Sequence, residues 1–422
     1  MQKFDVLIVG GGMVGLTTAL AIRNNSRLTV AIIDTQPLVD ITNQHDVRVS
    51  AINSVSQQLF HNIGVWQDIQ ASRNQPYQHM HIWDKAGYGQ IDFDLSDLSK
   101  REHKGQLGWI IENSIIRHAL WKKAQQDSAI SFFTQEKLTN IAMGDSDVFA
   151  SFSSFPPITA KLLIGADGAN SWVRQQMKLA LTFRDYDHHA IVATVKCSQG
   201  HQNTAWQVFL ETGPLALLPL SEPNETQQTT CSIVWSTSPD DAKRLIALSD
   251  SEFSKELTAV SDGKLGNVSL ESERFSYPLT MRYAQSFIKD RVVLVGDAAH
   301  TIHPLAGQGV NLGLLDAAAL AQTLTENLSK DDSISNNHIS SQQWLSTIKL
   351  KQYERWRKAE AAEMIAAMEA IKQTFAPQQA PVKFLRGVGM SIINKIKPLK
   401  NVMIKQALGF KSHLPDLSKV IK

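Results

Sequence analysis

From its amino end the chain alternates apolar and polar positions in two different rhythms. Phe4 to Val9 form a short apolar run, "GGGMVGLTTALAIRNN" places Leu16, Leu20 and Ile22 at helical spacing, and "LTVAIID" completes a strand-helix-strand unit of about thirty residues. Next, "SAINSVSQQLFHNIGV" predicts an amphipathic helix begun by Ser50, and His79 to Phe93 a hairpin bending at Gly87 and Gly89. "ENSIIRHALWKKAQQ" reads as a helix ahead of the strand "ISFFTQE", and "ITAKLLIGADG" as a further strand ahead of a helix in "ANSWVRQQM". From Tyr186 to Tyr277 the rhythm turns to strands, "HAIVATVKC", "WQVFLE", "LALLPL" and "CSIVWST", with one helix between Ser251 and Val260. "RVVLVGDAAH" restores the first rhythm. A long helix from "GVNLGLLDAAALAQTL" follows, then a polar loop between Leu328 and Ser341 and a last long helix ending before Pro377.

These elements predict an α/β chain in which a Rossmann-like domain, 1–75, 100–183 and 280–375, is interleaved with an antiparallel-sheet substrate domain, 76–99 and 184–279, and followed by a helical tail, 376–422. The 422 residues suffice for two cores, and the net charge of +2 argues neither for nor against nucleic acid; no nucleic-acid partner is expected. Cys197 and Cys231 stand well apart in sequence, which predicts neither a disulfide framework, a zinc ribbon nor a dithiol pair, and fits a reducing, cytoplasmic location. No apolar run reaches the roughly 18 residues of a membrane span. Asp5 and the glycine cluster also break up the apolar start as a signal peptide.

Three strand-end turns carry the chemistry. Gly10, Gly12 and Gly15 form a G-x-G-x-x-G between strand and helix: the first permits the turn, the second lets a pyrophosphate approach, and the third lets helix and strand pack. Asp34, ending the second strand, is placed for an adenosine ribose, so the unit reads as a dinucleotide site for NAD or FAD. Asp167-Gly168 ends another strand, although Asp-Gly is also an ordinary turn. Asp297 ends a third, where a carboxylate can accept from a ribityl or ribose hydroxyl, and "GQGVNLG" opens a helix whose N–H groups suit an anion or the electron-rich end of a flavin. No cluster has metal-ligand spacing, and no metal is expected.

"GGGMVG", "GADGANSWVR" and "GDAAHTIHPLAGQGVNLG", in this order, resemble the FAD-dependent aromatic hydroxylases of the p-hydroxybenzoate hydroxylase fold. "RVSAIN", "WDKAGYGQIDF" and "DHHAIVATV" are most similar to the ubiquinone-biosynthesis hydroxylases, among them the bacterial 2-polyprenylphenol 6-hydroxylases. The resemblance implies a flavoprotein monooxygenase that hydroxylates a polyprenylated phenol with NADH or NADPH as visiting reductant and O2 as co-substrate, oxygen being activated as a flavin C4a-hydroperoxide. It implies that Gly10, Gly12, Gly15 and Asp34 hold the AMP half of FAD and Asp297 the ribityl chain. Arg48 would lie near the pyrophosphate or flavin, and Asp167 and Gly168 would serve both FAD and the nicotinamide. His303, Pro304, Gly307, Gly309, Val310 and Asn311 would line the flavin. At Asn113 many relatives carry arginine, which removes one expected flavin contact while leaving an amide that can hydrogen-bond.

No acid/base pair emerges; His300, His303 and Pro304 are the weak candidates beside the flavin turn. The apolar runs "LALLPL" and "CSIVW" suit either pocket walls or plain core. The tail from Lys383 to Lys411 is basic, free of acids and interleaved with apolar residues, and Pro398 breaks it. It suits an inner-membrane surface, another quinone-biosynthesis protein or a face packed on its own domain; a homo-oligomer is compatible. The rival readings are a same-fold flavoenzyme for a small soluble aromatic, or a dehydrogenase, and a flavin-bearing assembly component of a quinone-synthesis complex.

Overall fold

The computed structural model describes residues 1–38, 40–42, 44–98, 105–222, 227–302, 309–326, 328, 344–375 and 379–420. Its first sheet is built on five parallel strands in the order Val292–Leu294, Ile158–Gly165, Lys3–Val9, Val30–Asp34 and Ile130–Thr134. Val6, Leu7 and Ile8 are fully buried because both faces are covered, which is why these strands read as continuous apolar runs. On one face lie the helices Met13–Asn25, Asn113–Gln125 and Gly309–Thr325; on the other, a cluster containing Leu163, Val173 and Phe287. In register, Val9 stands opposite Gly165 and Gly165 opposite Leu294. The three Gly/Asp turns therefore leave adjacent strands at the same carboxyl edge, where open α/β sheets bind ligands.

The second sheet has nine strands, including the 17-residue strand Leu181–Cys197, Thr230–Thr237, Gly213–Pro219, Thr204–Leu210 and the hairpin His79–Asp84 with Gln90–Asp94. The two-residue strand His300–Thr301 joins its edge directly after the Asp297 turn, so that turn links the first sheet's strand Val292–Leu294 to the second sheet. A smaller sheet pairs Val49–Ile52 and Gln75–Tyr77 with Gly108–Glu112.

Several elements depart from the sequence expectation. Ser50 lies in a strand, and the helix starts at Ser54, because the Asn53 side chain accepts the Ser56 N–H at 2.9 Å and is the better cap. The helix expected between Ser251 and Val260 runs Asp250–Val260, where Ser249 and Glu252 form a capping box, and a second helix, Pro239–Ala247, capped by Ser238, precedes it. The antiparallel pair Leu138–Met143 and Val148–Phe152 was not foreseen, its strands being short and half polar. The two cysteines, distant in sequence, meet on paired strands as buried free thiols; hydrogen bonding to Cys197 and burial push the Cys231 thiol well up, so it stays protonated. The tail forms two helices, Ala380–Lys395 and Lys397–Ala407, parted just ahead of Pro398.

Candidate functional site

The first turn is tight where it must be and open where a ligand would lie. Gly10 adopts φ +112°, and a Cβ on it would strike the Ala166 carbonyl; a Cβ on Gly15 would be driven into the Gly10 carbonyl oxygen. Among the described residues nothing lies within 4 Å of a Cβ on Gly12, and no side chain caps the helix that starts at Met13. Its first N–H groups thus point at open space, the arrangement that receives phosphate. Asp34 accepts the Gly11 N–H at 2.8 Å and the Gln36 N–H at 2.8 Å. Arg117, which no motif singles out, donates to the Gly11 carbonyl at 2.9 Å and reaches Asp34 at 3.4 Å, fixing turn and acid together.

At the second turn Asp167 accepts the Val173 N–H at 3.0 Å through one carboxylate oxygen; the other is buried and has no hydrogen-bond partner among the described residues. Gly168, at φ +80°, again has nothing within 4 Å of a Cβ. An unpartnered buried acceptor beside an open glycine fits a ligand carrying hydroxyl or amide donors. The buried Arg174, also unforeseen, donates to the carbonyls of Ala169 and Ala298, both at 2.8 Å, and ties this turn to the third. There, Gly296 adopts φ +58°, and Val14 from the first helix would lie 3.2 Å from a Cβ on it and 2.9 Å from one on Gly313. Small residues let the three turns press together.

Asp297 is open to water yet surrounded on most sides by protein. That desolvation raises its carboxyl above the usual range, with Asp316 adding repulsion and His300, Arg48 and Arg282 opposing it. Arg48 is exposed and lies over the Tyr277 ring at 5.7 Å. Asn113 holds the strand after Arg48: its N–H donates to the Arg48 carbonyl at 2.9 Å, and its side-chain oxygen accepts from Ser50 at 2.6 Å. Asn311 does the same from the other side, donating to the Ala51 carbonyl at 2.8 Å and accepting the Asn53 N–H at 3.2 Å. Gly309 and Val310 begin the same helix, and no described residue lies within 4 Å of a Cβ on Gly309. His303, Pro304 and Gly307 lie outside the described residues.

Two ionic nodes brace this crevice. Asp316, 0% exposed, accepts from His300 Nε2 at 2.6 Å, Arg357 Nε at 2.6 Å and the Gly296 N–H at 3.0 Å. Burial pushes its carboxyl up, but His300 and Arg357 outweigh this and keep it below the usual range. His300 is therefore locked into the frame of the third turn. Near Arg48, Glu112 accepts from His45 at 3.2 Å, Arg73 at 2.8 Å and the Asp46 N–H at 2.8 Å. These bonds overcome burial and hold the Glu112 carboxyl down to about 2. His45, raised above its ordinary value mainly by Glu112, also reaches Glu222 at 3.0 Å in the second sheet's region.

Beyond the strand that follows Arg48 lies an apolar cavity of about 320 Å³. Val49, Ala51 and Ile110 line it near the crevice, Ala216, Leu218 and Val234 from the nine-stranded sheet, and Met364 and Met368 from the helix Thr347–Phe375. Leu215, Leu217 and Ile233, the alternate positions of the same strands, are fully buried in the core on the other side. The runs "LALLPL" and "CSIVW" are thus both wall and core, residue by residue.

Residues 3–336 match the FAD binding domain family. The chain belongs to the FAD-dependent hydroxylases of ubiquinone biosynthesis. It is 32% identical to the 3-demethoxyubiquinol 3-hydroxylase of Escherichia coli K12, over 97% of this chain and 99% of that one, and 30% identical to the human mitochondrial ubiquinone biosynthesis monooxygenase COQ6, over 97% and 92%. Among solved structures, the p-nitrophenol 4-monooxygenase PnpA of Pseudomonas putida DLL-E4 superimposes with a TM-score of 0.76 at 18% identity, covering 97% of this chain and 99% of that one, which establishes the shared fold. The hydroxylase is an aromatic flavoprotein monooxygenase with an FAD-binding domain.

Proposed function

We propose that this hydroxylase uses NAD(P)H and O2 to hydroxylate the ring of a polyprenylated phenol lodged in the apolar cavity. The observation that carries this reading is adjacency: the strand of Val49 and Ala51 has the cavity on its wall and Arg48, which acts on Asp297, at its start. In this reading the AMP half of FAD lies over Gly10, Gly12 and Gly15 with its ribose on Asp34, and Asp297 takes the ribityl hydroxyls. Arg48, Asp167, Gly168, Gly309 and Val310 border the flavin, while Asn113 and Asn311 hold the Arg48 strand in place. In the same reading, residues 1–75, 100–183 and 280–375 make the FAD-binding domain, and 76–99 and 184–279 the substrate domain. A single dinucleotide fingerprint leaves NAD(P)H to visit, reduce and leave.

Bound FAD, once reduced, supplies the activated oxygen. The chain's part is to orient the ring and keep water out, and a cavity walled by Ala216, Leu218, Val234, Met364 and Met368 does both. His300 acts as a positioning residue, since its Nε2 is held by Asp316. The E. coli relative is named for the 3-position, whereas the motifs of the chain suggest a resemblance to 6-hydroxylases, so the ring carbon is left to experiment. FAD-loaded protein, reduced by NADPH or NADH and mixed with O2 and a short-chain prenylphenol, is expected to give one hydroxylated phenol per flavin, the position read by mass spectrometry and NMR. Quantitative H2O2 with no hydroxylated product, despite substrate binding, would overturn the reading.

A further inference from the structure

The two tail helices are amphipathic the wrong way round for a surface element. In Ala380–Lys395, Arg386 points inward to Asp84 at 2.7 Å, both nearly fully buried, while Phe384 is 58% and Leu385 66% exposed. In Lys397–Ala407, Lys400 points inward to Asp97 at 2.7 Å, while Leu399, Val402 and Met403 face out, Val402 at 62% exposure. Inward ion pairs anchor the helices, and Gly89 and Gly387 approach so closely that a Cβ on Gly89 would lie 3.0 Å from the Gly387 Cα. Nine of the sixteen exposed large hydrophobic residues among those described fall between Val382 and Phe410. Such a concentration marks an interaction surface.

We infer that this face docks on an anionic lipid bilayer and that the same helices form the entry for the prenylated substrate. The charge pattern selects lipid: no acidic residue occurs from Ala380 to Lys411, and Lys395 and Lys397, at the junction of the helices, are exposed and without an ion pair among the described residues. Tyr88 and Phe384, exposed with ring centroids 6.1 Å apart, give the face an aromatic pair of the kind that sits at headgroup level. The stripe Leu399, Val402, Met403 and Gln406 follows the helical repeat, and Met403 and Gln406 also line the apolar cavity. The outer face of the helix therefore runs into the cavity. At about 320 Å³ the cavity is at the small end of ligand pockets, roughly 300–1,000 Å³, so a ring and its first prenyl units fill it and the remaining tail lies along this stripe in the lipid.

This last step rests on the proposed substrate; the docking does not. Full-length, FAD-loaded protein is mixed with phosphatidylethanolamine/phosphatidylglycerol vesicles and floated on a density gradient, beside a Leu385→Asp/Val402→Asp variant and a Lys395→Glu/Lys397→Glu variant. The apolar pair should lose at least about tenfold in vesicle partition with flavin content and circular dichroism unchanged. The charge pair should lose at least about fivefold on anionic vesicles and little on phosphatidylcholine. Equal partition of all three proteins, or none by the wild type, overturns the docking; so does a wild-type dimer that the apolar variant converts to monomer without any vesicle binding. Turnover then tests entry: the apolar variant should hydroxylate a short-chain phenol in solution at the wild-type rate and a long-chain one in vesicles at least about tenfold more slowly. Equal vesicle rates would overturn the entry role, whereas absence of product from every protein, with flotation as expected, would fault the substrate assignment alone.

Discussion

The parallel sheet and the nine-stranded sheet serve the site through different parts of the chain. In the parallel sheet both faces are closed, Val6, Leu7 and Ile8 being wholly buried, so function is left to the turns at the strand ends. In the nine-stranded sheet one face is core and the other is cavity, so along Gly213–Pro219 function and stability alternate: Leu215 and Leu217 buried, Ala216 and Leu218 lining the pocket. A sheet covered on both faces can bind only at its edge, and a sheet covered on one can bind with its side chains.

That contrast can be broken at chosen residues. The largest effect is expected at the node that braces the edge of the first sheet. Asp316→Asn leaves Arg357, 1% exposed, and His300, 2% exposed, without their buried anion, and should cost about 3–5 kcal/mol in urea unfolding, with loss of bound FAD. A loss below about 1 kcal/mol would show that the third turn is held by other means. Next come two neighbours on one strand of the second sheet. Leu217→Ala should cost about 2–5 kcal/mol and leave the substrate dissociation constant of the folded fraction unchanged. Ala216→Phe should cost less than about 1.5 kcal/mol and lower prenylphenol turnover at least about tenfold while sparing flavin reduction. Similar results for the two would mean that wall and core are not separate faces.

A further test concerns pH. Glu112, held down to about 2 from an ordinary 4.5, contributes stability that is complete above pH 4.5 and is lost as pH falls toward 2, at most about 3 kcal/mol. His45, raised from 6.5, contributes stability that is complete below 6.5 and is lost as pH rises through its folded value. The node linking the Arg48 loop to Glu222 is therefore strongest between pH 4.5 and 6.5. Glu112→Gln should flatten the acid limb of a stability profile measured by urea midpoint, and an unchanged limb would contradict the assignment.

Much of this was legible in the chain. Gly10, Gly12, Gly15, Asp34, Asp167, Gly168 and Asp297 announce themselves, because a strand-end turn that must bend at positive φ or admit a ligand has few residue types to choose from. Arg117 and Arg174 carried no such mark. An arginine on a helix reads as a solvated charge, and only the fold shows that one clamps Gly11 to Asp34 and the other joins two turns separated by more than a hundred residues. Asp316 and Arg357 were hidden for a similar reason: each sits in a helix, and the partner that makes it buried structure comes from another.

The sequence alone determined the interleaving of the two sheets, the three turns and hence the dinucleotide chemistry, because local backbone demands are written residue by residue. Which face of "LALLPL" is wall, whether Cys197 meets Cys231, and that Arg386 and Lys400 turn inward while Leu385 and Val402 turn outward were decided only by the tertiary structure. Periodicity gives a strand or helix two faces; which of them is covered depends on partners far along the chain.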